Sequence, residues 1–157
     1  MKVAIIGGGF VGASAALRLA QAGTNVSVLE AEYSGFGGSG RNVGLTNAGL
    51  WLNPEDVEKA LGKRYGERLN DFLNEAPDLV YDLIDEHDIE CDALRNGTLH
   101  LAHSEKGLKA IEERAWQINA RGGSVMLLDK AEAHKLTAAE NYLGAIHDMR
   151  AGTIQPL

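Results

Sequence analysis

Residues 3–12 read Val-Ala-Ile-Ile-Gly-Gly-Gly-Phe-Val-Gly, and the order of residue types in this stretch decides the fold. Val3-Ala4-Ile5-Ile6 is a short unbroken apolar run ended by glycine, the pattern of a strand buried on both faces in a parallel sheet. Gly7-Gly8-Gly9-Phe10-Val11-Gly12 then satisfies G-x-G-x-x-G. Gly7 permits a tight turn out of the strand, and Gly9 lets the backbone approach a pyrophosphate with no Cβ between them. Gly12 lets the following helix pack closely on the sheet. Val11, Ala13, Ala15, Ala16, Leu17, Leu19 and Ala20 continue at helical spacing, and Gly23 marks the stop. Asn25-Val26-Ser27-Val28-Leu29 reads as a second strand, closed by Glu30. The expectation is a Rossmann-like βαβ unit within an α/β fold.

Such a unit carries its chemistry in the backbone. The helix N-terminus offers unpaired N–H groups and a positive dipole end to phosphates, so no basic side chain is needed. Glu30, placed beyond Gly12 at the end of the second strand, suits the hydroxyls of a ribose and would repel the 2′-phosphate of NADP. On these features alone FAD and NAD both fit.

The chain has 157 residues, about one domain, enough to bury a core without staples. Its hydrophobic fraction of 45% and charged fraction of 24% exclude a disordered or fibrous class. A formal charge of −7, with no basic stripe, argues against a nucleic-acid partner. The single cysteine, Cys91, reads as a small buried residue in a chain made for a reducing compartment, the cytoplasm. The apolar N-terminus superficially suggests a signal peptide, but three glycines interrupt it and the expectation is against that reading; no window is apolar enough to span a bilayer.

Between Tyr33 and Gly49 the composition changes, with six glycines in the stretch. That is either a flexible linker or backbone held close to a ligand. Asn53-Pro54-Glu55-Asp56 opens a helical region whose apolar stripe runs through Leu69, Phe72, Leu73, Leu79, Val80, Leu83 and Ile84, with a kink or break at Pro77. Asp85-Glu86-His87-Asp88 is a solvated helix end. A strand over residues 97–103 and a helix from Ser104 to Gly122 follow, then a strand at 125–128, a helix at 130–135 and a strand at 142–149. His100 and His103 point to opposite faces of their strand and share no metal, and no other metal set is expected. Trp51 and Trp116 are read as packing residues, with a place near the site as the alternative for Trp51, which follows the glycine-rich segment.

Gly35-Phe36-Gly37-Gly38-Ser39-Gly40-Arg41-Asn42-Val43-Gly44 closely resembles the G-x-G-x-S-G-R-N-x-G stretch of the glycine oxidase and D-amino-acid oxidase (DAO) superfamily of FAD-dependent oxidoreductases. Within it the nearest likeness is to gamma-glutamylputrescine oxidase-like enzymes. The resemblance extends through Ile89-Glu90-Cys91-Asp92, Gly97-Thr98-Leu99 and Gly152-Thr153-Ile154-Gln155-Pro156. It implies FAD as cofactor and a small amine or amino-acid substrate, whose C–N bond is oxidised to an imine by hydride transfer to the flavin. By motif match Gly38, Ser39, Gly40, Arg41 and Asn42 take on contact with the pyrophosphate and the chain leading to the flavin ring. Glycine amides forming a nest and a charged Arg41 are compatible with that role. With Gly7, Gly9, Phe10, Val11, Gly12, Glu30 and Ala31 they make up the expected cofactor contacts. Val43 departs from the glycine common in near relatives and adds a Cβ where the backbone approaches the flavin.

Family members are considerably longer. The resemblance therefore implies an N-terminal fragment: residues 1–50 from the FAD-binding domain, 51–88 a helical connection, 89–150 the start of an α+β substrate domain, and 151–157 a return toward the FAD domain. A missing C-terminal half or a partner subunit would complete it, and no catalytic residue is assigned in this part. A non-catalytic nucleotide-binding module, or a subunit of a split flavoenzyme, is the alternative. An NAD-dependent dehydrogenase is disfavoured by the Ser39–Asn42 stretch. A sheet cut after two strands exposes edges and apolar faces, so the isolated chain is expected to be poorly soluble or to unfold with poor cooperativity.

Overall fold

The computed structural model describes residues 2–157, which form five helices and seven strands in a mixed α/β arrangement. They divide into two compact units, one running through Gly44 and taking in Gln155–Leu157, the other spanning Leu45–Ile154.

The first unit holds β1 (Lys2–Ile6), α1 (Phe10–Gln21) and β2 (Asn25–Leu29). β1 and β2 pair in parallel, from Lys2 opposite Asn25 to Ile6 opposite Leu29, as the βαβ reading requires. Gly12 must be glycine: a Cβ there would collide with the Gly7 carbonyl and stand 3.3 Å from Ile5 Cγ2. Gly23 takes φ +77°, left-handed backbone in which glycine is unstrained, at the turn from α1 to β2. The expected burial of β1 on both faces is not realised. Its residues alternate between exposed and half-buried, Ile6 is 90% exposed, and α1 contains no buried residue. An apolar strand is covered on both faces only when a layer lies on each. Among the described residues of this unit, α1 is the one helix against a sheet of two strands.

The second unit contains β3 (Leu45–Thr46), α2 (Pro54–Leu61), α3 (Lys63–Glu86), β4 (Thr98–Ala102), α4 (Glu105–Asn119), β5 (Val125–Asp129), α5 (Lys130–Thr137), β6 (Gly144–Asp148) and β7 (Gly152–Thr153). The strands form an antiparallel sheet in the order β4-β6-β5, while β3 and β7 make a separate short antiparallel ribbon. Strand alternation puts Ala102, Val125 and Ile146 on one face, where they pack with Ile111 and Ala115 of α4 and the half-buried Leu108 and Ile118. Ser104 caps α4 by accepting from Gly107 N, and Asp129 with Glu132 forms a capping box on α5.

Two expectations are corrected. The helical region does not break at Pro77, since α3 runs through it without interruption; the break lies at Gly62, with φ +77°. A proline has no N–H for the carbonyl four residues earlier, and that carbonyl, Leu73 O, instead accepts from Gly49 N at 3.2 Å. The helix tolerates Pro77 because a loop supplies the lost donor. Gly66 then lets α3 lie close on α2, as a Cβ there would collide with Glu58 Cα. Neither tryptophan is a buried packing residue: Trp51 is 69% and Trp116 62% exposed, Trp116 lying on the side of α4 away from Ile111, Ala115 and Ile118.

Candidate functional site

Three segments of the first unit converge where β1 gives way to α1. Gly7 turns the chain with φ +100°, and its amide donates to Leu29 O at 2.8 Å, tying the turn to the end of β2. Gly9 sits in extended conformation at the N-cap of α1, which has no capping bond from it and no acidic residue in its first turn. The first-turn amides, those of Val11 and Gly12 among them, have no acceptor within the helix and point toward its open end. First-turn amides with no acidic side chain in that turn suit the pyrophosphate of a dinucleotide, so the residues present fit that group.

Glu30 lies at the same end. Its carboxylate accepts from Gly8 N at 2.6 Å, Ala31 N at 2.8 Å and Glu32 N at 3.3 Å. Those bonds, the one from Gly8 foremost, hold its pKa below the ordinary carboxylate value. An ionised carboxylate has about four lone-pair sites, so ribose hydroxyls still find an acceptor. Gly8 was not among the expected contacts; it is a variable position of the motif, and only the fold brings it to Glu30.

The glycine-rich segment folds back onto this turn. Gly35 N donates to Gly8 O at 3.0 Å, and Phe10 N, the first amide of α1, donates to Ser39 Oγ at 3.0 Å. Of the residues carried over by motif, Ser39 alone bonds to the phosphate loop. Asn42 staples its own segment, with Nδ2 donating to Ser39 O at 2.7 Å and Oδ1 accepting from Gly44 N at 2.7 Å. Arg41 donates from Nε to Gly37 O at 3.3 Å and lies over the Phe36 ring, 5.4 Å from its centroid. Gly40 is crowded by the Gly35 carbonyl and the Leu157 side chain, whereas a Cβ at Gly38 would meet nothing within 4 Å. Val43 is exposed.

The second unit has a separate polar cluster that the sequence did not signal. Arg114 of α4 donates to Leu50 O and, at 3.0 Å, to Trp51 O, and its guanidinium lies 5.5 Å from the centre of the Trp51 ring. Trp51 meets His100 edge to face at 5.2 Å. Burial, with the nearby Arg114 charge, pushes the His100 pKa below its ordinary value. Partners 63 residues apart leave no local pattern to read. Cys91 is buried, as expected. Among the described residues no three His, Cys, Asp or Glu side chains gather as a metal-ligand set, and no helix is long and apolar enough to cross a membrane.

Comparison with known proteins matches the DAO family, described as FAD dependent oxidoreductase, over residues 2–157. The chain is 35% identical over 156 residues to gamma-glutamylputrescine oxidoreductase of Escherichia coli (strain K12), covering 99% of this chain and 36% of that protein. The fold is similar to that of glycine oxidase from Geobacillus kaustophilus, with a TM-score of 0.75 at 24% identity over 98% of this chain and 40% of the other. It is also similar to that of L-alpha-glycerophosphate oxidase from Mycoplasma pneumoniae with FAD bound, with a TM-score of 0.76 at 22% identity over 99% of this chain and 39% of the other. The chain spans 36% of the length of the curated relatives it matches.

Proposed function

Because the chain belongs to the DAO family of FAD dependent oxidoreductases, we propose that it holds the ADP portion of FAD in an enzyme that oxidises the C–N bond of a small amine or amino acid to an imine. The observation that carries the reading is the convergence of the Gly7–Gly12 turn, Glu30 and Ser39 around the open N-terminus of α1.

In this reading the amides of Gly9, Val11 and Gly12 hold the pyrophosphate, while Gly7 shapes the turn that brings them together and Phe10, whose amide is given to Ser39, lies beside them. Glu30, beside Ala31, accepts from the ribose hydroxyls. Gly38, Ser39, Gly40, Arg41 and Asn42 line the path toward the flavin, Asn42 by bracing the segment and Arg41 by offering a cation to the phosphates. When bound, FAD supplies the redox chemistry by accepting a hydride from the substrate carbon, and the protein supplies position and electrostatics. Residues 89–150 open the substrate domain. The substrate class draws support from the relatives named for gamma-glutamylputrescine and glycine. The cytoplasm is the compartment that suits one buried, unpaired cysteine.

The test is a titration of FAD with the chain, followed by quenching of flavin fluorescence, with NAD and NADP as competitors. The expected result is saturable FAD binding that neither nicotinamide cofactor displaces. Displacement by NAD, or no FAD binding, overturns the reading.

A further inference from the structure

Gly9 is the fingerprint glycine whose bare Cα is usually explained by the approach of a pyrophosphate. In this chain the same space is also bounded from within: a Cβ on Gly9 would stand 2.9 Å from Ser39 Oγ and 3.8 Å from Ser39 Cβ. Building on the FAD-binding reading above, we propose that Ser39 is a positioning residue of the cofactor site, which caps the first amide of α1 from the glycine-rich segment and thereby makes position 9 and position 39 an interdependent pair.

A helix leaves its first amides without intrahelical acceptors, and the side chain just before the helix is the usual remedy. Such a cap reaches the second or third amide of the helix and leaves the first one unmet; here Gly9 has no side chain to cap with, and the first amide, Phe10 N, finds its acceptor in Ser39, 29 residues further on. A local cap settles only a helix end; a distant one also fixes the segment that carries it.

Three further contacts set where Ser39 can stand. Asn42 Nδ2 donates to Ser39 O at 2.7 Å, Gly35 N donates to Gly8 O at 3.0 Å, and Gly40 is confined between the Gly35 carbonyl and Leu157. The segment thus approaches the phosphate loop along one path, and the missing Cβ at Gly9 is the room it needs.

The chemistry of the hydroxyl adds to the geometry. Having accepted from Phe10 N, Ser39 Oγ keeps its own proton to donate. It relays the polarity of the helix end toward an anionic oxygen, beside the free first-turn amides. An alanine at position 39 removes both the cap and the relayed donor, while threonine keeps both.

Four proteins test the pair: Gly9→Ala, Ser39→Gly, the double variant and Ser39→Thr, each beside the unaltered chain. Two quantities are read, the FAD dissociation constant by flavin fluorescence and the exchange rate of the Phe10 amide in the FAD-free protein. Ser39→Gly is expected to speed Phe10 exchange and weaken FAD about five- to tenfold, the effect of losing one cap, and Ser39→Thr to restore both. The double variant is expected to bind FAD no worse than Gly9→Ala alone, because the second change removes the side chain that the first one strikes. Additive losses in the double variant, or unchanged Phe10 exchange in Ser39→Gly, overturn the proposal. Failure of the unaltered chain to take up FAD would overturn the cofactor reading instead, and Phe10 exchange would still decide whether Ser39 caps the helix.

Discussion

The Glu30 carboxylate takes three backbone donors, from Gly8, Ala31 and Glu32, and these hold its pKa below the ordinary 4.5. Because the folded-state pKa is depressed, its contribution to stability is present above about pH 4.5 and is lost as the pH falls through the folded value. Unfolding midpoints measured from about pH 6 down to pH 3 should fall for the native chain. For Glu30→Gln, the part of that fall due to this residue should be absent; identical acid profiles for the two proteins would count against the assignment. The position of Glu30 was legible, since an acid closing the second strand is part of the motif. Its bond to Gly8 was not, because Gly8 fills a variable place in G-x-G and its partner lies 22 residues away. Ser39 was legible only as one letter of a motif, with no indication that its target is Phe10.

At the scale of elements, amphipathic stripes and capping residues located the helices well, and the failures came where a distant group changed the local rule. Pro77 reads as a break because proline removes a helical hydrogen bond, and α3 survives it because Gly49 N takes over Leu73 O. In Pro77→Ala the new amide competes for that carbonyl. The Gly49 amide should then exchange faster with solvent while α3 itself becomes harder to unfold, and unchanged Gly49 exchange would contradict this account. The start of α2 is a second case. Asn53 makes no side-chain cap, and the buried Gln117 of α4 accepts from Glu55 N at 3.1 Å while its own Nε2 donates to Glu113 at 2.7 Å. Replacing Gln117 by Leu leaves a donor unmet, and the second unit should lose about 1–3 kcal/mol in denaturant unfolding. The helix start at Pro54 was readable from local residue types. Its cap, 62 residues away, was not.

For the whole molecule, the distribution of burial separates the two units. In the first, only Gly8 and Gly44 are buried among the described residues, and Ile6, Val11 and Leu29 are exposed. The second has the contiguous core of Ala102, Ile111, Ala115, Val125 and Ile146, though much of what it buries most deeply is alanine. Apolar periodicity announces which residues want cover; it does not say which segment covers them, which is why the double-sided burial of β1 was expected and not found. Burial of apolar area stabilises by about 25 cal/mol per Å², so a unit whose apolar residues, such as Val3, Ile5, Leu17 and Val26, are only half-buried gains less from its packing than the second unit does. Hydrogen exchange of the FAD-free chain should therefore show residues 2–44 opening at lower free energy than residues 98–148. A ligand that binds only the folded first unit adds about 2.7 kcal/mol when its free concentration is about a hundred times its dissociation constant. FAD at that excess should slow exchange in the Gly7–Gly12 turn, at Glu30 and along residues 33–44. If both units open together with one free energy, with or without FAD, the chain folds as a single cooperative body and the division drawn from its burial is wrong.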